Sequence, residues 1–173
     1  TERCLLSTLD PASGYRGWEF SVETNGTLRA FAISTFSANA TKASTTQNLT
    51  ANTLYHVACT YSGGSNSASF AFYINGAPDP TTGSGIDSLS GTIISTIPLR
   101  IGGRTGGTPT SYAGQMWDIG IWNRVLGADE IRLLYGSPWQ MFRPKQRYFP
   151  SATTTTYFFW PGEAEENFNV LTY

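Results

Sequence analysis

Residues Tyr112–Tyr135 read YAGQMWDIGIWNRVLGADEIRLLY: an apolar strand-like run, a polar turn at Asn123-Arg124, then a short amphipathic segment. Strand, turn and helix signals sit together here as nowhere else in the chain. The helix is expected to begin near Gly127, because Asp129 and Glu130 then fall in its first turn, where carboxylates favour the positive end of the helix dipole. It is expected to stop at Gly136-Ser137-Pro138. Leu126, Ile131, Leu134 and Tyr135 share one apolar face. A helix this short is not stable alone in water, so that face must pack on a sheet. In the run before it, Met116 and Ile119 have opposite strand parity. Either the strand is covered on both faces, or a bulge resets the alternation near Asp118.

Working outward, Cys4–Ser7 reads as a short apolar strand, followed by the loop DPASGYRG from Asp10 to Gly17. Trp18, Phe20 and Val22 alternate with Glu19, Ser21 and Glu23, a period of two that assigns one buried and one solvated face. Asn25-Gly26 turns the chain, since both residues tolerate positive φ, and Leu28–Ser34 returns as the hairpin partner. Thr35–Asn52 is polar and without periodicity, and reads as loops around at most one weak strand. Tyr55–Tyr61 is a strand. Phe70, Phe72 and Ile74 alternate along another that ends in Asn75-Gly76, a strong hairpin signal. From Pro78 to Gly91 a long exposed loop is expected, then a short strand within Ile97–Gly102. The glycine run GGRTGG is not a phosphate loop: it lacks the Lys-Ser/Thr ending and opens no helix. Past Pro138, TTTTYFFW (Thr153–Trp160) is strongly strand-forming.

The chain has 173 residues, enough for one domain and an appendage, and only 13% of them are charged. A Ser/Thr/Asn/Gly-rich background between apolar runs is the composition of an all-β protein with many turns. A formal charge of −1 and the absence of a basic face argue against nucleic acid. The one basic run, Arg143–Arg147, is followed by an acidic one, Glu163–Glu166. Neither a signal peptide nor a run long enough to cross a bilayer is present. Cys4 and Cys59 either form one disulfide, if their strands lie side by side, or remain two buried thiols. Asn25, Asn39 and Asn48 each open an Asn-x-Thr acceptor pattern for glycosylation.

In order, the segments LLSTLDP (5–11), WEFSVETNGTLRAF (18–31), LYHVACTY (54–61), FYINGAP (72–78), LRIGGR (99–104) and the 112–135 stretch resemble a laminin-G-like, concanavalin A-like jelly roll of the bacterial and phage type. YGSPWQMFRP (135–144) resembles an ending common in phage and environmental members. The resemblance implies an all-β, antiparallel two-sheet jelly-roll sandwich with one short helix near the C-terminal end, spanning 1–144, with 145–173 as a tail that completes the sheet or packs on a neighbouring subunit. Members usually carry one or two strands ahead of the LLS strand, and these are absent here. The family often binds calcium through loop acids and carbonyls. Of the acidic pair common before its final strand only Asp118 matches, so Asp118 is the candidate Ca2+ ligand and no cofactor is required.

Glucanases of this fold need paired carboxylates on one strand face, and the pattern Glu-x-Asp-x-(x)-Glu is missing. His56, the one histidine, has no Ser, Cys or Asp motif beside it. The chain is therefore expected to be a non-enzymatic extracellular or virion-surface protein that self-assembles or attaches to a surface. Its partners would be further copies, virion or filament neighbours, or surface glycans. The alternative is a carbohydrate-binding module of a larger secreted protein, with Tyr15, Trp18, Tyr112 and Trp139 as the aromatic platforms on which sugar faces stack. The absent first strands and the aromatic tail favour the structural reading, because an open sheet edge invites an added strand.

Overall fold

The computed structural model describes residues 2–36, 39–105 and 111–139, with backbone only at 82–86. Thr1–Met141 forms one compact unit. The tail segments at 145–173 lie outside the described residues, as do residues 140–144, half of the YGSPWQMFRP ending. Nine strands are described: β1 (Arg3–Ser7), β2 (Gly17–Val22), β3 (Thr27–Thr35), β4 (Asn39–Asn48), β5 (Val57–Tyr61), β6 (Phe70–Ile74), β7 (Ala77–Asp79), β8 (Thr81–Asp87) and β9 (Arg100–Ile101). One helix, α1, spans Ala128–Gly136. The strands form a six-stranded sheet of order β8-β4-β3-β2-β1-β9 and a three-stranded sheet of order β5-β6-β7, antiparallel throughout.

The two sheets face each other across one core. Phe20, Leu28, Ala30, Ala32 and Ala43 from the large sheet meet Phe70, Phe72 and Ile74 from the small one. These are alternate residues of their strands, so each strand commits one face to the interior. Each large apolar side chain closed off here contributes about 1.5–3 kcal/mol. The helix lies on the back of the small sheet, where Leu126, Ile131 and Leu134 pack against Tyr73, Ala58 and Ala71. Its start is fixed by Gly127, whose N–H donates to the Glu130 carboxylate at 2.9 Å.

Both hairpin turns form where expected. Asn75 and Gly76 have φ of 51° and 75°, the left-handed pair that matches strand twist. Gly76 is also pressed against the Tyr135 ring, so a side chain there has no room. At Gly17 the constraint is tighter: φ is 134° and a Cβ would come 2.6 Å from the Thr8 carbonyl oxygen.

Several expectations fail, each for a physical reason. Thr35–Asn52, read as loops around at most one weak strand, holds one long strand: β4, the longest described, paired with both β3 and β8. Its inward residues are Ala, Ser and Thr, too small and polar to show as hydrophobic alternation, while the β-branched threonines suit the pleated backbone. The loop expected over 78–91 contains β7 and β8. The strand expected over 116–122 is, among the described residues, unpaired. Of the two alternatives left open for Cys4 and Cys59, the structure has free thiols and not a disulfide. Cys4 lies on the outer face of the large sheet opposite Ser21, whereas Cys59 packs on the core side of the small sheet, and both are free thiols. Burial, with the Glu19 carboxylate close by, pushes the Cys4 thiol up to about 12. Burial alone pushes Cys59 up to about 12.

Candidate functional site

Three features of the described surface carry chemistry. The first is on the outer face of the large sheet. There the residues that alternation assigned to solvent are closed in: Glu19 is 1% exposed and Ser21 is fully buried. Cross-strand register explains this, since Glu19 stands opposite Phe31 and Ser21 opposite Arg29 on the neighbouring strand. Arg29 reaches Glu19 at 3.2 Å and Glu23 at 3.4 Å, and also pairs with Glu2. Arg104 comes in from the β9 side to Glu19 at 2.9 Å and pairs with Glu2. Lys42 completes the row on Glu23 at 3.1 Å. The Arg29 guanidinium sits 4.5 Å from the centre of the Phe31 ring, with the Lys42 ammonium at 5.8 Å.

Three carboxylates and three cations thus form a closed ladder. Its geometry is imperfect: the Arg104 Nε–H and Glu19 Oε2 lie 2.9 Å apart without the alignment of a hydrogen bond, so that contact is an ion pair only. Burial pushes the Glu19 carboxyl up, against the pull of Arg104, and the neighbouring Glu2 adds to the rise. Burial acts on Glu2 in the same sense, but the Arg29 bond and charge outweigh it and hold Glu2 below the usual carboxylate range. A shallow recess of about 240 Å³ opens beside the ladder, lined by Glu2, Glu23, Thr24, Asn25 and Arg29.

The second feature is a cleft of about 370 Å³ between the loop after β5 and the loop after β8. It is lined by Tyr61, Gly63, Gly64, Ser65, Leu89, Ser90, Gly91 and Ile93. Tyr61 stacks on Phe70 at 4.7 Å and donates its hydroxyl to the Gly64 carbonyl, so the ring is held in place. Asn39 and Ser90 bond each other across the rim.

The third is the stretch that opened the sequence analysis. Ser111 bridges to Cys4, the Tyr112 N–H donates to the Gly102 carbonyl at 2.9 Å, and the chain then leaves the sheet edge. From there Trp117 is 55% and Ile121 54% exposed, with Ile119, Trp122 and Val125 also exposed. Asp118 has φ of 54°, and neither alternative that parity left open is seen: the segment is not a strand among the described residues, and Ile119 is exposed. The Trp122 ring lies over Gly120, close enough that a Cβ on Gly120 would come 2.3 Å from it. A run of large apolar groups whose backbone is, among the described residues, outside any sheet is what a protein surface normally avoids.

The aromatic candidates are not gathered. Tyr15 packs with Leu9, Phe31 and Ile33 on the outer face of the large sheet and meets Phe36 at 5.7 Å. Tyr112 packs against the core between the sheets. Trp18 is half-buried in β2, and Trp139 is 61% exposed just beyond α1. Asp118 is exposed, and among the described residues no group of three or more His, Cys, Asp or Glu converges as a metal site. Asn25 and Asn48 are exposed. The Asn25 side-chain oxygen accepts from the Thr27 N–H at 3.1 Å and hydroxyl at 2.8 Å. His56 is half-buried against the Tyr135 ring at 5.6 Å, and burial holds its pKa down. The ladder and the loop cleft escaped sequence reasoning. The Glu19-x-Ser21-x-Glu23 alternation was the visible trace of the ladder, and Tyr61 with Gly63-Gly64 that of the cleft.

Two antiparallel sheets packed face to face, with a helix on the back of the smaller one, define a jelly-roll β-sandwich. A laminin-G-type family model described as concanavalin A-like lectin/glucanases superfamily matches residues 1–132, and the chain belongs to that superfamily. The fold of this family serves binding modules and glucanases alike, so fold alone assigns no activity. No curated protein matches. Among solved structures, an S-layer domain-containing protein from Clostridium thermocellum is 21% identical, covering 78% of this chain and 63% of that one at a TM-score of 0.41, a likeness too distant to bear on function. Among the described residues no helix is long and apolar enough to cross a membrane.

Proposed function

We propose that this chain is a non-enzymatic binding and assembly module, displayed on a cell or virion surface, that works through the stretch Trp117–Val125. The observation that carries the reading is the exposure of Trp117, Ile119, Ile121 and Trp122 in backbone that pairs with no strand among the described residues. Exposed apolar side chains on backbone outside a sheet are what strand addition covers. Among the described residues catalysis has no comparable support. A glycosidase needs two carboxylates open to substrate, and Glu19 is sealed by Arg29 and Arg104 while Glu2 and Glu23 are held in ion pairs. Light scattering on the purified chain tests the reading: association is expected in the wild type and its loss in Trp117→Ser/Ile121→Ser. A chain that stays monomeric at every concentration, and that retains no surface or protein ligand, overturns it.

The lectin alternative draws on the cleft at Tyr61, where a fixed aromatic ring is bordered by glycine backbone and serine hydroxyls. Saturable binding on a glycan array that Tyr61→Ala abolishes would move the function there.

A further inference from the structure

Independently of the assembly reading, we infer that Glu2 and Glu19 hold a single proton between them, and that this proton fastens the Glu2 end of β1 to β2 as a clasp that rising pH opens. The two carboxyls are gathered on the same donors. Glu2 Oε1 pairs with Nη2 of Arg29 and with Nη2 of Arg104, and Glu19 Oε1 lies on the same two nitrogens at 3.2 and 2.9 Å. That common seat brings the two side chains within hydrogen-bond reach of each other. Ionised carboxylates only accept, so a bond between two of them requires that one carry a hydrogen.

The geometry selects Glu19 as the carrier. Its side chain is fully enclosed, whereas that of Glu2 keeps 26% of its surface exposed. Only one Glu19 oxygen is served: Oε1 accepts from both guanidiniums, while among the described residues Oε2 has no hydrogen-bond partner. The Nε–H groups of Arg29 and Arg104 also go unused. A buried anion served at one oxygen is costly, and a proton removes that charge while keeping the contact. The charged and titratable groups around the pair come from every neighbouring element. From β1 comes Cys4, a neutral thiol pushed up to about 12 by burial with Glu19 close by. From β2 comes Glu23, which takes Lys42 of β4 and a share of Arg29 of β3, so Arg29 is divided among three carboxyls. Arg104 arrives from the turn after β9. Burial is the largest influence on both acids. It pushes Glu19 up, but on Glu2 the Arg29 bond and charge outweigh it and hold that carboxyl down, the split that one shared proton demands. Once the proton leaves, two adjacent carboxylates repel. Glu2, the more exposed, then has the recess of about 240 Å³ that it lines to move into.

Urea unfolding of the full chain, followed from pH 4.5 to mildly alkaline, tests the clasp. A carboxyl raised in the folded state contributes stability that is complete below its unfolded value of about 4.5 and is lost as pH climbs through the folded value. Glu2, held down, contributes in the opposite sense, and its share is lost as pH falls below 4.5. The pair therefore stabilises most near 4.5 and less on the alkaline side. Glu19→Gln keeps a neutral group and an N–H donor toward Glu2, so it is expected to escape that decline. Relative to it, the wild type should lose about tenfold in folding equilibrium constant over the range, the equivalent of one pKa unit. In a carbon-13 titration of the glutamate carboxyls, one signal is expected to titrate above 4.5 and to vanish in Glu19→Gln, with a second below 4.5 that vanishes in Glu2→Gln. A difference between wild type and Glu19→Gln that is constant with pH, or that favours the wild type increasingly as pH rises, makes Glu19 an ordinary ionised carboxylate and overturns the inference. If Glu19→Gln does not fold, the wild-type titration decides alone: a folded chain in which no glutamate titrates above 4.5 has no clasp. Light scattering reads association separately, so the assembly reading stands or falls without this one.

Discussion

The outer face of the large sheet and the stretch Trp117–Val125 invert each other. On the sheet face, three carboxylates and three cations are drawn into a closed ladder, with Glu19 all but sealed from water. On the stretch, large apolar groups stay about half exposed, with no strand of the described fold paired beside them. Polarity therefore does not decide which residues are interior here; completeness of partners does. Charges go inside where opposite charges from five segments meet, and hydrophobes stay outside where no described strand arrives. The first region is a finished structure and the second an unfinished one, so a change in the first should register as lost stability and a change in the second as lost association.

The largest effect is expected at Glu19. Glu19→Ala leaves Arg29 and Arg104 facing each other without the carboxylate that both share, and removing one member of a buried ion network costs about 3–5 kcal/mol. Urea unfolding at neutral pH reads this directly. A loss below about 1 kcal/mol would mean that the ladder behaves as a surface feature, and the contrast between the two regions would dissolve. Gly17→Ala comes next. It places a Cβ 2.6 Å from the Thr8 carbonyl at a φ of 134°, and strain of this kind costs roughly 1–3 kcal/mol. The same unfolding assay should show it.

The two regions also differ in how far they could be read before folding. Much of the sandwich was legible: the Asn25-Gly26 and Asn75-Gly76 turns, the Phe70–Ile74 alternation and the start of α1 are local signals, and each appears where its chemistry put it. β4 was not, because Ala40, Thr41, Ala43, Ser44 and Thr45 are buried without being large or apolar. Glu19 was misread as solvated since its partners lie 10 and 85 residues away, and nothing in Glu-x-Ser-x-Glu distinguishes a ladder from a wet face. The stretch Met116–Trp122 was misread in the opposite sense. Its residues have strand character, but pairing depends on a neighbour that a local pattern does not contain. Non-local closure is the common cause of both errors.

A smaller effect is expected from acid at the foot of the stretch. Glu130 is held down to about 2 by the Arg124 side chain first and the Gly127 N–H second, from an ordinary value of 4.5. A depressed carboxylate stabilises the fold above its unfolded pKa, and that contribution is lost as pH falls from about 4.5 through 2. Amide hydrogen exchange in Ala128–Gly136 should therefore quicken over that window, and Glu130→Gln should flatten the response. The groups are exposed, so the change is local to the helix start rather than global.

The smallest effect on stability belongs to the stretch itself, and it separates the two regions most cleanly. Ile121→Ser removes a side chain that is 54% exposed and closes no core. Surface changes of this kind fall within about 0.5 kcal/mol in the unfolding of the isolated protomer. Measured at concentrations low enough to keep the chain monomeric, its urea midpoint should match the wild type. At high concentration, where association lends the wild type additional stability by mass action, the two should diverge. A serine variant that is already destabilised when dilute would place Ile121 inside the fold, and the stretch would then be a strand of the sandwich rather than a surface awaiting its partner.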